Sequence, residues 1–136
     1  MKEVNYKKIF NKYPPIISAY LFGSRARNDF SPISDYDFAV QLDEDKIARK
    51  KYTDLKLALI RDLCAALNID NIDIVILNEA PILLKHRILR DRKILFCRSQ
   101  LKRIRNEFNI LTEYLDEKDY EIAYAKGVFK SILEAA

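Results

Sequence analysis

The sequence predicts an α/β domain with a helical tail. Short runs of β-branched and aromatic residues alternate with segments of helical periodicity, and beyond about residue 98 only helical periodicity remains. The 136 residues suffice for one domain with its own core and leave no room for a second. We therefore expect a single domain over residues 1–136, with a core over about 1–97 and a tail over about 98–136.

The N-terminal part predicts a helix followed by a buried strand. Residues 3–13 carry apolar side chains at helical spacing, and the pair of prolines that follows prevents the helix from continuing. Residues 16–22 form a β-branched and aromatic run that stops at Gly23, as expected for a buried strand that ends in a tight turn. Ser24 is then a candidate cap for a short helix.

A second strand and a long helix are predicted next. Residues 35–42 form the strand, and Asp43-Glu44-Asp45 places negative charge where the helix is expected to begin. The recurring apolar positions of this helix predict that it lies flat on the sheet; they are Ala48, Tyr52, Leu55, Leu59, Leu63 and Ala66.

The remaining elements are a third strand, an edge strand and helices. Residues 72–77 are apolar except for Asp73 and predict the third strand. Pro81 is expected to start a helix over 82–90, and residues 93–97 fit a short edge strand. Two tail helices follow, the last over about 119–134, and the first carries a heptad-like stripe formed by Leu101, Ile104, Phe108, Leu111 and Leu115.

Composition narrows the class of protein. A hydrophobic share of 49% beside 32% charged residues is typical of a soluble globular domain. No apolar run approaches the roughly 18 residues of a membrane span, and the N-terminus lacks an apolar signal segment, so we expect a cytoplasmic protein that does not bind membranes. Cys64, Cys97 and His86 have no zinc-ligand spacing, and both cysteines are expected to be reduced core residues.

Charge is unevenly distributed. The net charge of +4 permits an anionic ligand but is too small to indicate nucleic-acid binding, and no direct nucleic-acid contact is expected. Residues 85–105 form a basic segment and residues 107–121 an acidic one. The basic segment can help to hold a triphosphate, bind an acidic partner or simply face solvent, and the sequence does not choose among these roles.

Asp35 and Asp37 stand two residues apart at the start of the second strand. Side chains two apart on a strand point to the same face, so the two carboxylates converge while Tyr36 points to the other face. Two adjacent carboxylates repel each other unless a cation neutralises them, and Mg²⁺ favours a few carboxylates with positions left for phosphate and water. The pair therefore predicts a metal-and-phosphate site.

Ten residues separate a glycine-serine turn from these aspartates. Gly23 lets the chain approach a phosphate closely, and the Ser24 hydroxyl can hydrogen-bond phosphate oxygens. Arg25 and Arg27 supply positive charge at the same edge and are candidate nucleotide ligands. A plain turn is the alternative interpretation of Gly23-Ser24.

Asp73 is the third candidate acid. A carboxylate within an apolar strand is costly to bury alone, which favours a pairing with metal or substrate over a bare core position, although a surface position at the strand end also fits. If the third strand neighbours the second, Asp73 lies beside Asp35 and Asp37. It can then bind a second metal ion and accept a proton from an attacking hydroxyl.

These motifs resemble those of the minimal nucleotidyltransferases, a branch of the DNA polymerase beta-like superfamily. The resemblance covers the whole length and is carried by Leu21-Phe22-Gly23-Ser24-Arg25-Ala26-Arg27, Ser31, Ser34-Asp35-Tyr36-Asp37 and Asp73. It implies a small mixed sheet flanked by helices. It also implies that Gly23 and Ser24 hold the phosphates, that Asp35 and Asp37 bind Mg²⁺, and that Asp73 completes the site. One departure is Asn28, where relatives often have glycine, and we expect a small change in loop geometry.

The resemblance also implies an activity and a partner. Small members of this branch resemble the antitoxin of a pair with a HEPN-domain ribonuclease toxin. By that resemblance, the chain transfers AMP from ATP onto a tyrosine hydroxyl of the toxin, with two Mg²⁺ ions and with Asp73 as base. A small-molecule or RNA-end acceptor stays open, as does a binding module that silences its partner by contact alone. The tail aromatics predict either a docking surface or core packing; they are Tyr114, Tyr120, Tyr124 and Phe129.

Overall fold

The computed structural model describes residues 4–29, 31 and 34–118. Over these residues the helices are α1 Tyr6–Asn11, α2 Ser24–Arg27, α3 Tyr52–Leu67, α4 Ile82–Asp91 and α5 Gln100–Lys118. The strands are β1 Ile16–Phe22, β2 Tyr36–Leu42, β3 Ile72–Ile76 and β4 Lys93–Cys97. Short 3-10 turns occupy Arg49–Lys51 and Leu77–Glu79. Every strand that the sequence predicts is present, with bounds shifted by one residue at most.

The four strands form one mixed sheet in the order β3-β2-β1-β4. β1 pairs antiparallel with β2 and β4, whereas β2 and β3 run parallel. A parallel pair needs a crossover connection, which α3 provides. The predicted small mixed sheet flanked by helices is confirmed.

The core lies on both faces of the sheet. All seven residues of β1 are buried, as expected for a strand paired on both sides and covered on both faces. On one face, α1 and α3 pack on the sheet around Phe10, Phe38 and Leu59, none of which is exposed. On the other face, a smaller cluster joins the sheet to α4; it consists of Tyr20, Phe22, Ala39, Leu77 and Ile88.

The long helix begins later than the sequence predicts. Asp43-Glu44-Asp45 lies in a turn, and α3 starts only at Tyr52, after a 3-10 turn. Asp43 instead accepts hydrogen bonds from the Asp45 N–H at 3.1 Å and the Lys102 ammonium at 3.0 Å. Ala48 and Ala66, the outer positions of the predicted apolar face, are exposed: Ala48 lies before the helix, and at its end Leu67 packs against the core in place of Ala66.

The heptad-like stripe of α5 is only partly buried. Leu101 is 69% exposed and Ile104 is 41% exposed, whereas Glu107, Ile110 and Leu115 are buried. The helix is rotated toward its polar side because Glu107 accepts a hydrogen bond from the buried Tyr20 hydroxyl of β1. The predicted last helix over about 119–134 lies outside the described residues, and so do three of the four tail aromatics.

Two further expectations concern cysteines and membranes. Cys64 is half-buried, but Cys97 is exposed because it ends the edge strand β4, so the expected core position for Cys97 is wrong. Both are free thiols. Within the described residues, no helix combines the length and the apolarity needed to cross a membrane.

Candidate active site

Three segments meet at one edge of the sheet. Asp37 of β2 lies opposite Phe22, the last residue of β1, and opposite Asp73 of β3. Because Gly23 directly follows Phe22, strand pairing brings the glycine-serine turn and both predicted acidic segments together. The neighbouring positions of Asp37 and Asp73 confirm that the third strand lies beside the second.

The paired aspartates take the orientation that strand alternation predicts. Tyr36 and Phe38 stack against each other with ring centroids 6.1 Å apart, on the face of the sheet that packs against α1 and α3. Asp37 between them points to the opposite face and is half-buried, whereas Asp35, just before β2, is exposed. Burial raises the pKa of the Asp37 carboxyl above its usual value, and the charges of Asp73 and Asp35 raise it further.

Gly23 is required where it stands. Its φ of 76° is a left-handed conformation that side chains other than glycine rarely adopt. A Cβ atom at this position would lie 2.6 Å from Oδ2 of Asp37, closer than nonbonded atoms approach. The turn therefore passes directly beside the carboxylate, and any side chain here would displace it.

Asp73 reaches the site without being buried. It is exposed at the second position of β3, so the desolvation argument that singled it out from sequence does not apply, and the surface alternative is correct. Its place beside Asp37 comes from the parallel register of the two strands. A carboxylate at the strand end, open to solvent, is accessible to an incoming hydroxyl.

The donor set fits Mg²⁺. The three aspartates offer only oxygen ligands, which hard divalent cations prefer. Burial raises the pKa of Asp37, and the charges of Asp73 and Asp35, which a cation would offset, raise it further. No arginine or lysine in the described part of the chain forms an ion pair with any of the three. Across the described ranges, no three acidic, histidine or cysteine side chains already surround one point. Carboxylates that repel one another are expected to converge only when the cation binds.

The two arginines after the turn bind protein groups. Arg27 donates to Asp91 at the end of α4 at 2.8 Å and to Asp29 at 3.2 Å. Arg25 donates to the Tyr36 hydroxyl and to the Ser34 carbonyl oxygen, both at 3.2 Å, and its guanidinium lies 4.1 Å from the centre of the Tyr36 ring. The predicted roles of Arg25 and Arg27 in nucleotide binding remain predictions.

Asn71 is a site residue that sequence reasoning missed. Its side-chain amide donates to the same Ser34 carbonyl oxygen at 3.0 Å. Its backbone carbonyl oxygen accepts a hydrogen bond from the Tyr36 N–H, also at 3.0 Å. Ser34 is further fixed by Ser31, whose N–H donates to the Ser34 hydroxyl at 2.9 Å. An asparagine just before a strand has no distinctive spacing, so nothing in the sequence marks it.

Asn28 stands at the position where the resemblance implies a glycine. Asn28 ends α2 with φ 62° and ψ 27°, a left-handed conformation that asparagine tolerates better than most residues. The expected change in loop geometry stays a prediction.

Much of the basic segment pairs within the chain. Arg92 and Arg103 both bind Glu107, at 3.0 Å and 2.9 Å. Arg98 donates to three backbone carbonyls around the end of α1 and the start of β1, those of Asn11, Tyr13 and Ile16. These residues hold β4 and α5 in place, which accounts for part of the positive charge without a ligand.

A known protein family matches the part of the chain that carries the candidate site. The sequence model of the family described as polymerase beta, nucleotidyltransferase matches residues 5–101. The chain belongs to the polymerase beta nucleotidyltransferase family. The matched range includes the turn, all three aspartates and every strand of the sheet.

The chain is also similar to a protein adenylyltransferase. The chain is 36% identical over 93 residues to the protein adenylyltransferase MntA of Aphanizomenon flos-aquae (strain 2012/KM1/D3), an alignment that covers 65% of this chain and 62% of that protein. The aligned part thus spans less than two thirds of the relative's length.

Two solved structures share the fold. A chain of a toxin-antitoxin complex with AMP-PNP superposes with a TM-score of 0.68 at 23% identity, covering 90% of this chain and 94% of that one. A chain from the complex of tri-AMPylated Shewanella oneidensis HEPN toxin with MNT antitoxin gives 0.61 at 22% identity, covering 90% and 91%.

Proposed function

We propose that this protein is a Mg²⁺-dependent nucleotidyltransferase that transfers AMP from ATP onto a tyrosine hydroxyl of a HEPN-domain ribonuclease, and so acts as the antitoxin of that toxin. The observation that carries the chemistry is the register of Asp37 beside Asp73, directly against the Gly23 turn. The acceptor is suggested by the similar proteins, an adenylyltransferase and an AMPylated toxin in complex with its antitoxin. We place the protein in the cytoplasm as one domain over residues 1–136.

The proposed reaction is an in-line substitution at the α-phosphorus of ATP. The acceptor oxygen bonds to that phosphorus, the bond to the bridging oxygen between the α- and β-phosphates breaks, and pyrophosphate leaves. Two Mg²⁺ ions held by Asp35, Asp37 and Asp73 would stabilise the negative charge on the transferring phosphoryl group and on the pyrophosphate.

The chain's own groups bind, orient and move a proton. The Gly23 backbone and the Ser24 hydroxyl are proposed to hold the phosphates, since the absence of a Cβ lets the nucleotide approach beside Asp37. Asp73 is exposed at the strand end and is the proposed base that takes the proton of the acceptor hydroxyl.

Transfer of label tests this function. The purified protein is mixed with α-³²P-labelled ATP, Mg²⁺ and the product of the neighbouring reading frame, and label on each protein is measured. We expect wild type to label the partner and both Asp35→Ala and Asp37→Ala to fail. Asp54→Ala removes an exposed acid of α3 that is far from the turn in the sequence, and it serves as the matched control that keeps activity.

The same experiment separates the alternatives. Wild type that silences the partner's ribonuclease activity without labelling it would support a binding antitoxin instead. Label on an RNA end or on a small molecule, with none on the partner protein, would change the acceptor and keep the chemistry.

A further inference from the structure

One backbone oxygen connects all three segments of the candidate site. The carbonyl of Ser34, just before the paired aspartates, accepts hydrogen bonds from Arg25 at 3.2 Å and from Asn71 at 3.0 Å. Arg25 belongs to the helix that follows the glycine-serine turn, and Asn71 precedes the strand that carries Asp73. The Ser34 carbonyl, next to the paired acids, is therefore hydrogen-bonded both to the helix after the turn and to the residue before the strand of the third acid.

Arg25 also packs on an aromatic side chain that contacts the core. Its guanidinium stacks on Tyr36 and donates to the Tyr36 hydroxyl, and Tyr36 in turn stacks on Phe38, which is fully buried. Phe38 packs against Phe10 of α1, with ring centroids 6.4 Å apart. Through these ring contacts, the first residues of β2 pack against the core. A planar guanidinium that stacks and donates in two directions has a geometry that lysine does not reproduce.

Asn71 fixes the same residues from the other side. Its side-chain amide binds the Ser34 carbonyl, and its backbone carbonyl binds the Tyr36 N–H. Asp35 lies between these two anchored residues, and Asp73 lies two residues after Asn71. The bonds thus set the spacing of acids that would otherwise repel one another.

We propose that Arg25 and Asn71 are positioning residues, which hold Asp35 and Asp37 in register with Asp73 by binding the Ser34 carbonyl together. On this reading Arg25 acts through the acids and does not bind the triphosphate. The inference rests on the proposed function for its metal but has a readout of its own, because cation binding can be measured without a partner or an acceptor.

Mn²⁺ binding tests the positioning role directly. Mn²⁺ is titrated into the purified protein without nucleotide, and free Mn²⁺ is followed by electron paramagnetic resonance. We expect Arg25→Lys and Asn71→Ala each to weaken Mn²⁺ binding about 10- to 100-fold, as losses of groups that orient metal ligands do. The double variant should lose less than the product of the two factors, because both groups bind one oxygen. Arg61→Lys, on an exposed arginine of α3, is the matched control and should bind as wild type does.

Kinetics separate positioning from nucleotide binding. In the labelling assay, the positioning variants should lower kcat and change KM for ATP by no more than about twofold. Tyr36→Phe keeps the stacked ring and loses one hydrogen bond, so a drop in Mn²⁺ affinity of only a few-fold is expected. Urea unfolding of each variant shows that the measured protein is folded.

Two results would overturn the proposal, and a third would separate it from the proposed function. A raised KM for ATP with unchanged Mn²⁺ binding in Arg25→Gln, restored by Arg25→Lys, would make Arg25 a phosphate ligand. Wild type that binds no Mn²⁺ would remove the metal acids that the two residues are said to hold. If wild type labels no acceptor while the variants still lose Mn²⁺ affinity, the positioning role stands and the proposed function fails.

Discussion

Acidic side chains at two places in this molecule have opposite surroundings. At the site edge, Asp37 has two other acids as its charged neighbours, and their charges add to burial in raising its pKa. Behind β1, Glu107 is buried with two arginines at 2.9 Å and 3.0 Å and accepts a hydrogen bond from Tyr20. Asp91 and Asp43 are also paired with cations, and hydrogen bonds from Arg90 and Lys102 lower their pKa values.

The difference separates acids that are paired with cations in the fold from the three acids that we propose as metal ligands. A chain with 24 basic residues has enough cations to neutralise its acids, and it does so where helices must be held on the sheet. The site acids are left to repel one another, which costs stability unless a bound cation compensates. Within the described part of the chain, the proposed site therefore differs from the structural ion pairs by its uncompensated negative charge, and substitutions on either side test this contrast.

The largest effect is expected from Asp37→Ala. Nucleotidyl transfer should fall roughly a thousand-fold, because charge stabilisation by a metal is worth several kcal/mol in the transition state. The free energy of unfolding without metal should stay the same or rise, since the change relieves repulsion with Asp73. Label transfer and urea unfolding measure the two quantities. A fall in stability of more than about 1 kcal/mol would show that Asp37 supports the fold.

Glu107→Ala should have the reverse profile. It leaves two arginines and the buried Tyr20 hydroxyl without their common partner, and we expect the free energy of unfolding to fall by about 3 kcal/mol. Chemical denaturation measures the loss, and Glu113→Ala, at an exposed position of the same helix, should cost less than about 0.5 kcal/mol. Equal losses in both variants would contradict a special role for the Glu107 cluster.

Gly23→Ala should affect both properties, because the turn belongs to the fold and to the site. The Cβ clash with Asp37 and the positive φ predict a stability loss of about 1–3 kcal/mol and a drop in activity of about 100-fold. Asn28→Ala is the matched control for backbone strain, since Asn28 also has positive φ. It should lose about 1 kcal/mol and keep its activity. Activity lost to the same degree in Asn28→Ala would mean that strain alone explains the effect.

The smallest effect concerns pH. The hydrogen bond from Lys102 lowers the pKa of Asp43, so this pair stabilises the fold fully above the unfolded pKa of about 3.9 and loses its contribution as pH falls through the folded pKa. Lys102→Met should therefore show a shallower loss of stability between about pH 5 and 3 than wild type. Thermal unfolding across that window measures the slopes. Lys56→Met, a change on α3, should keep the wild-type slope, and identical slopes in all three proteins would refute the linkage.

The sequence predicted the strands better than the helix faces. Each strand is a compact run rich in β-branched or aromatic residues, and proline, glycine or asparagine stands near both ends of β1 and β3, so the signal is local. The face of α5 was wrong because the buried residue is charged. Periodicity predicts that Leu101 is buried and Glu107 exposed. In the structure Leu101 is exposed and Glu107 is buried, because Glu107 accepts a hydrogen bond from the Tyr20 hydroxyl on a strand distant in sequence.

The candidate site shows the same division. Gly23, Ser24, Asp35 and Asp37 could be proposed from the sequence because they lie close together in the chain and their spacing has a chemical meaning. Asp73 was chosen for a burial that it does not have, and Asn71 carried no signal at all. The pairing of Arg27 with Asp91 joins residues 64 positions apart, which no local pattern encodes.

By itself, then, the sequence determined which residue types stand on which strand and turn, and hence the prediction of a phosphate-binding turn with paired acids. The tertiary structure decided which of these groups meet. The parallel register of β2 and β3 puts Asp73 beside Asp37, and hydrogen bonds at Ser34 and Glu107 fix the arginines. The physical reason is that the direction of a side chain along a strand follows from the backbone period. Whether a charge is neutralised depends instead on partners that are distant in the sequence and come close only in the folded chain.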